Sequence, residues 1–98
     1  MATVRIPPIL RAEAGGQREL ALQGATVREL LEELVATYPG LRQRVFDGAE
    51  LPQFLNVFVD GDDIRLGDGL DSALAPNATV ILLPAVAGGT AAAPRSLR

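Results

Sequence analysis

Thr26-Val27-Arg28-Glu29-Leu30-Leu31-Glu32-Glu33-Leu34-Val35, closed by Pro39-Gly40, decides how this 98-residue chain folds. Thr26 with Glu29 three residues on is a capping box: the threonine caps a helix, and the glutamate reaches back to the Thr26 backbone N–H. Val27, Leu30, Leu31, Leu34 and Val35 recur at the spacing of one helical face, while Glu29, Glu32 and Glu33 fall on the wet side. The residue before Pro39 avoids the α region, so the helix stops there.

Strand patterns lie on both sides of this helix. Upstream, Thr3 to Leu10 reads as a strand with Val4 and Ile6 on one face, and Pro7-Pro8 marks an edge, a bulge or its end. Ala14-Gly15-Gly16 is a turn. Gln17 to Gln23 alternates, with Leu20 and Leu22 inward, and Gly24 breaks it. Downstream, Leu41 to Phe46 fits a short helical turn and Asp47-Gly48 a loop. Phe54 to Val59 is a strand with Leu55, Val57 and Val59 on one face. Asp60 to Asp63 reads as a tight turn, Ile64 to Leu66 as a short return strand, Gly67-Asp68-Gly69 as a turn, and Leu70 to Leu74 as a brief segment. Thr79 to Ala85 is the last strand. Strands around a single helix predict an α+β domain, with the helix on one face of a mixed sheet and the first strand parallel to the last. Residues 1–85 form the expected domain. Residues 86–98, with little to pack, form the expected flexible tail.

Composition narrows the chemistry. The chain has no cysteine and no histidine, which removes disulfides, Cys/His metal sites and any Cys or His nucleophile or base. All nine basic residues are arginine against twelve acids, a net charge of −3. That balance argues against nucleic acid and for a basic protein surface as partner. No apolar run approaches the roughly 20 residues of a membrane span, and Met1 to Arg11 has no signal-peptide pattern. The expectation is a cytoplasmic protein with no membrane partner. Asp60, Asp62 and Asp63 lack the Gly and Glu positions of a calcium loop, so they read as a solvated hairpin turn.

Two features remain. Gly88-Gly89 follows the last strand by a few residues. A Gly-Gly pair alone fits a flexible linker, and Gly15-Gly16 is a second such pair in the same chain. If Leu55 and Val57 face the helix, Phe58 faces outward; if Val80 and Leu82 do, Ile81 and Leu83 face outward. Phe58, Ile81 and Leu83 are therefore a candidate docking patch.

Residues 3–89 resemble the ubiquitin-like sulfur carriers, the family that includes the molybdopterin synthase small subunit, the thiamin-synthesis carrier and, most similar, the actinobacterial cysteine-synthesis carrier. The resemblance rests on Ile6-Pro7-Pro8-Ile9-Leu10-Arg11, Gly15-Gly16-Gln17, Phe54-Leu55-Asn56-Val57-Phe58-Val59, Asp62-Asp63-Ile64-Arg65, and Leu83-Pro84-Ala85-Val86-Ala87-Gly88-Gly89. It implies a β-grasp (ubiquitin-like) fold, with a mixed sheet of four to five strands and one main helix. It implies a carrier with no bound cofactor rather than an enzyme. An E1-like activating enzyme with sulfurtransferase function would use ATP to adenylate the carboxylate of Gly89, and a sulfur donor would convert it to a thiocarboxylate. Val86, Ala87 and Gly88 would thread that end into the partner's site, where a residue without Cβ passes most easily. A free α-carboxylate, with a pKa of about 3.3–3.7, is ionised and ready to attack phosphorus.

In the family the reactive form ends in Gly-Gly, whereas here Thr90 to Arg98 follows Gly89. The resemblance therefore implies cleavage between Gly89 and Thr90 by a JAMM-type zinc metalloprotease. It implies delivery of sulfur to a pyridoxal-phosphate cysteine synthase or another acceptor enzyme. A molybdopterin synthase subunit, a thiamin or other biosynthetic carrier, a ubiquitin-like protein modifier, and a β-grasp module without terminal chemistry remain the alternatives.

Overall fold

Residues 1–84 are the part of the chain described by the computed structural model. Helix α1 spans Val27–Thr37. Thr26 is extended, and its Oγ1 accepts the Glu29 N–H at 3.2 Å. The Glu29 carboxylate accepts from Ala25 at 2.9 Å, one residue earlier than the capping box predicts. The reason is local: Val27 N–H donates to the Ser72 carbonyl and Leu74 N–H to that of Ala25, which ties residues 25–27 to 72–74 in a register that turns the Ala25 N–H toward the carboxylate. At the other end Tyr38 leaves the helical region, at φ −129° and ψ 84°, before Pro39, in keeping with pre-proline sterics. One 3-10 turn, Pro39–Leu41, then leads into the short helix α2, Arg42–Val45, where the sequence predicts a helical turn.

The strands are β1 (Ala2–Arg5), β2 (Glu19–Leu22), β3 (Leu55–Val59), β4 (Asp62–Asp63) and β5 (Thr79–Pro84). They form one sheet in the order β2-β1-β5-β3-β4. β1 and β5 run parallel at its centre, as predicted, and every other pair is antiparallel. This is the β-grasp arrangement. The apolar stripe of α1 joins Val4, Leu55, Val57, Val80 and Leu82 in one buried cluster on one face of the sheet. Val59, at the end of β3, is only half-buried against it.

The strand boundaries differ from the sequence reading, the third strand only in starting at Leu55 rather than Phe54. The first strand stops at Arg5, because Pro7 and Pro8 have no N–H for the ladder. Pro8–Ala14 is instead 3-10 helix, with Leu10 and Ala14 buried and Gly15 closing it at φ 65°. The second strand is trimmed to Glu19–Leu22, with Leu22 buried and Leu20 half-buried. The later hairpin is tighter than expected: Val59 pairs with Asp62, so the turn is Asp60-Gly61 alone. Asp60 (φ 51°) and Gly61 (φ 92°) both occupy the left-handed region that a two-residue turn of this hand demands. The return strand is then Asp62–Asp63, and Ile64–Leu66 is a 3-10 turn, because the Asp63 carboxylate accepts the Arg65 N–H at 2.9 Å and bends the chain. Leu70 likewise lies in a 3-10 turn, Gly69–Asp71. Ala85 lies outside the described residues, so the last strand is described to Pro84.

Gly24 shows how closely the helix sits on the strand that precedes it. A Cβ there would stand 2.6 Å from the Leu30 backbone nitrogen and 2.9 Å from its Cα. Gly24→Ala is expected to displace α1 and cost about 1–3 kcal/mol, as overpacking does. Gly40→Ala, where a Cβ would meet nothing nearer than the Glu13 carboxylate at 3.7 Å, is the control. Equal urea midpoints for the two variants would show that α1 tolerates a side chain there.

Candidate functional site

The face of the sheet opposite α1 is set by strand alternation. With Val80 and Leu82 pointing inward, β5 presents Ile81 and Leu83 outward; with Leu55 and Val57 inward, β3 presents Asn56 and Phe58. The register puts Phe58 directly opposite Ile81 and Asn56 opposite Leu83. The three residues of the expected patch are thus neighbours. Phe58 and Ile81 cover each other in part and are half-buried, while Leu83 is 47% exposed.

The pairings extend this row across all five strands: Glu19, Arg5, Ile81, Phe58 and Asp63 stand side by side. Arg5 Nε lies 3.9 Å from Glu19 Oε2. On the β1 side of the patch an open groove of about 250 Å³ is lined by Arg5, Pro7, Pro8, Arg11, Ile81 and Leu83. Arg11 Nε donates to the Ile6 carbonyl at 3.0 Å. On the β3 side Arg65 reaches over from its 3-10 turn, donating through Nη1 to Asn56 Oδ1 at 2.8 Å and through Nη2 to the Pro52 carbonyl at 2.6 Å.

These arginines are the part of the site that residue patterns alone miss. Only Arg5, alternating with buried Val4 and Ile6, carries a signal that could have found it. Phe54, exposed at the head of β3, also stands near the chain exit, since Leu55 pairs with Pro84.

The acidic run is turn chemistry. Asp60 Oδ1 accepts the Thr79 N–H at 2.9 Å, alongside the Asp63 contact already described. Among the described residues no three Asp or Glu side chains converge on a metal position. Of the helix acids, Glu29 serves the cap, and Glu32 lies 3.5 Å from Arg42 Nη2.

Val86, Ala87, Gly88, Gly89 and Thr90, the expected tail and processing residues, lie outside the described residues. Chain length still bounds them: five residues beyond Pro84, Gly89 is at most about 18 Å from it.

Comparison with known proteins bears on this arrangement. The family model described as the ThiS family matches residues 4–89, so the match runs to Gly89. The chain is 40% identical over 90 residues to the sulfur carrier protein CysO of Mycobacterium tuberculosis, covering 89% of this chain and 97% of that one. In three dimensions it resembles a chain in the crystal structure of the Amycolatopsis orientalis BexX/CysO complex, with a TM-score of 0.86, 37% identity, and coverage of 91% of this chain and 100% of that one. It also resembles the solution structure of small archaeal modifier protein 1 from Methanosarcina acetivorans, with a TM-score of 0.81, 30% identity, and coverage of 90% and 95%.

Proposed function

The chain belongs to the ThiS family, and we propose that it is the precursor of a sulfur carrier whose reactive group is the carboxylate of Gly89. It is a carrier rather than an enzyme, and cysteine biosynthesis is the use that its similarity to CysO supports. One observation carries the reading: the family match covers nearly the whole chain and ends on the second glycine of Gly88-Gly89.

The chemistry balances without a catalytic side chain on the carrier. The Gly89 carboxylate attacks the α-phosphorus of ATP in the active site of an E1-like activating enzyme, and pyrophosphate leaves. Sulfide, as HS⁻, then attacks the acyl carbon, AMP leaves and the S–H proton is lost to solvent, so that sulfur replaces one oxygen as a thiocarboxylate. That sulfur, more nucleophilic than the oxygen it replaces, passes to an acceptor enzyme, which we take to be a pyridoxal-phosphate cysteine synthase. A JAMM-type zinc metalloprotease would expose Gly89. The carrier's own contribution is to dock and to thread. Phe58, Ile81 and Leu83 supply the docking face, and Val86, Ala87 and Gly88 supply a narrow lead.

The test is direct. The chain ending at Gly89, incubated with the activating enzyme, ATP and sulfide, should gain about 16 Da, the exchange of oxygen for sulfur at an acyl carbon. Failure with the activating enzymes of the same organism overturns the reading. Conjugates to lysines of other proteins would instead favour the modifier function named in the archaeal relatives.

The docking face gives a second measurement. Phe58→Arg should weaken binding to the activating enzyme at least about tenfold, because it places a charge in the apolar centre of the contact. The fold should hold, since Phe58 is outside the buried core. Unchanged affinity in titration calorimetry would remove Phe58 from the site.

A further inference from the structure

The charge of the chain is unevenly placed. Arg5, Arg11 and Arg65 frame the patch of Ile81, Phe58 and Leu83, with Glu19 and Asp63 as the acids of the same face. Among residues 1–84 that leaves four arginines against ten acids for the rest of the surface. A net charge of −3 suggests a basic partner, but a protein that seats on this face meets guanidinium groups first. At physiological salt, exposed charges more than about 8 Å apart are largely screened, so the local face outweighs the total.

Two of these arginines are also held in place. Arg11 is fixed through Nε by the Ile6 carbonyl, so both terminal nitrogens of its fork take no part in that bond. Arg65 spends one N–H on Asn56 and one on Pro52, out of five. A guanidinium anchored in this way loses little further freedom on binding, and its planar fork matches a carboxylate in a paired contact.

We propose that the surface received by this face is a protein patch with an apolar centre framed by Asp and Glu side chains, which pair with Arg5, Arg11 and Arg65. The proposal rests on the carrier reading only in taking the activating enzyme as that partner. The apolar centre is what favours a protein over a nucleic acid, whose backbone would match the arginines but not Phe58, Ile81 and Leu83.

The experiment measures association of the chain ending at Gly89 with the activating enzyme of the same organism, at low and at high salt. Arg5→Glu and Arg65→Glu should each slow association about tenfold at low salt, with the difference shrinking at high salt. Arg5→Gln and Arg65→Gln should fall between these and the parent, which separates charge from misfolding. Glu33→Arg, on the exposed face of α1, should change nothing. The proposal is overturned if the reversals leave association unchanged or speed it, if Glu33→Arg has the larger effect, if polyuridylate displaces the enzyme, or if the parent does not bind the enzyme at all. Sulfur uptake by mass keeps the two readings apart. A parent that takes up sulfur with no arginine dependence sinks this proposal and leaves the carrier. A parent that binds through its arginines yet never takes up sulfur leaves this proposal and sinks the carrier.

Discussion

A chain that carries residues 90–98 is expected to take up no sulfur at Gly89, whereas the same chain ending at Gly89 is expected to be converted. The difference is all or none because it concerns a functional group, not an affinity. Adenylation needs a carboxylate oxygen with an available electron pair and negative charge. In the longer chain the Gly89 carbonyl is part of an amide to Thr90, whose oxygen is neutral and too weak a nucleophile to be adenylated. No quality of docking compensates, since docking does not change the bond at Gly89. The measurement is intact mass after incubation with activating enzyme, ATP and sulfide, on both forms side by side. The shorter chain gains about 16 Da. The longer one stays unchanged until a protease removes Thr90 to Arg98. Sulfur found on the untrimmed chain, at Arg98, would remove the chemical reason for assigning Gly89.

Leu34→Ala is expected to cost about 2–5 kcal/mol of folding stability, the range for truncating a fully buried leucine. Leu34 has no solvent exposure and belongs to the cluster that joins α1 to the sheet. Its loss opens a void between a helix and a sheet that are each held elsewhere, so the site has little room to collapse. For a domain that depends on one small core, such a loss is a large share of the total. Its neighbour Glu33, exposed on the same helix, should tolerate alanine within about 0.5 kcal/mol. Urea denaturation of the two variants gives the comparison. A loss below about 1 kcal/mol at Leu34 would contradict the packing described here.

The helix and the core face were legible because a 3.6-residue period sustained through α1 has few other meanings. The same holds for the inward residues of β3 and β5, where alternation is uninterrupted. Pro7-Pro8 marked a possible end of the first strand, but the 3-10 helix after it and the 3-10 turn at Ile64–Leu66 were not legible. The apolar pairs, Ile9 with Leu10 and Ile64 with Leu66, fit strand or turn equally, and what decides is a tertiary fit in one case and the side-chain acceptor of Asp63 in the other. The same limit applies to the functional face. Phe58, Ile81 and Leu83 follow from strand alternation, but Arg65 arrives from a turn nine residues along the chain from Asn56, and Arg11 from a 3-10 helix beyond the expected strand. Long side chains project charge onto surfaces that their own backbone does not form, and periodicity carries no record of that.

The place of β5 between β1 and β3 has a mechanical side. A partner that drew in the chain beyond Pro84 would exert traction along β5, parallel to the strand. The ladder bonds to β1 on one flank and β3 on the other lie across that direction, so they share the load and shear together rather than opening in succession. An end strand peeled from a sheet edge would give way bond by bond. Here β5 is riveted through the middle of the sheet, so a pull on its C-terminal end would leave the domain holding its shape.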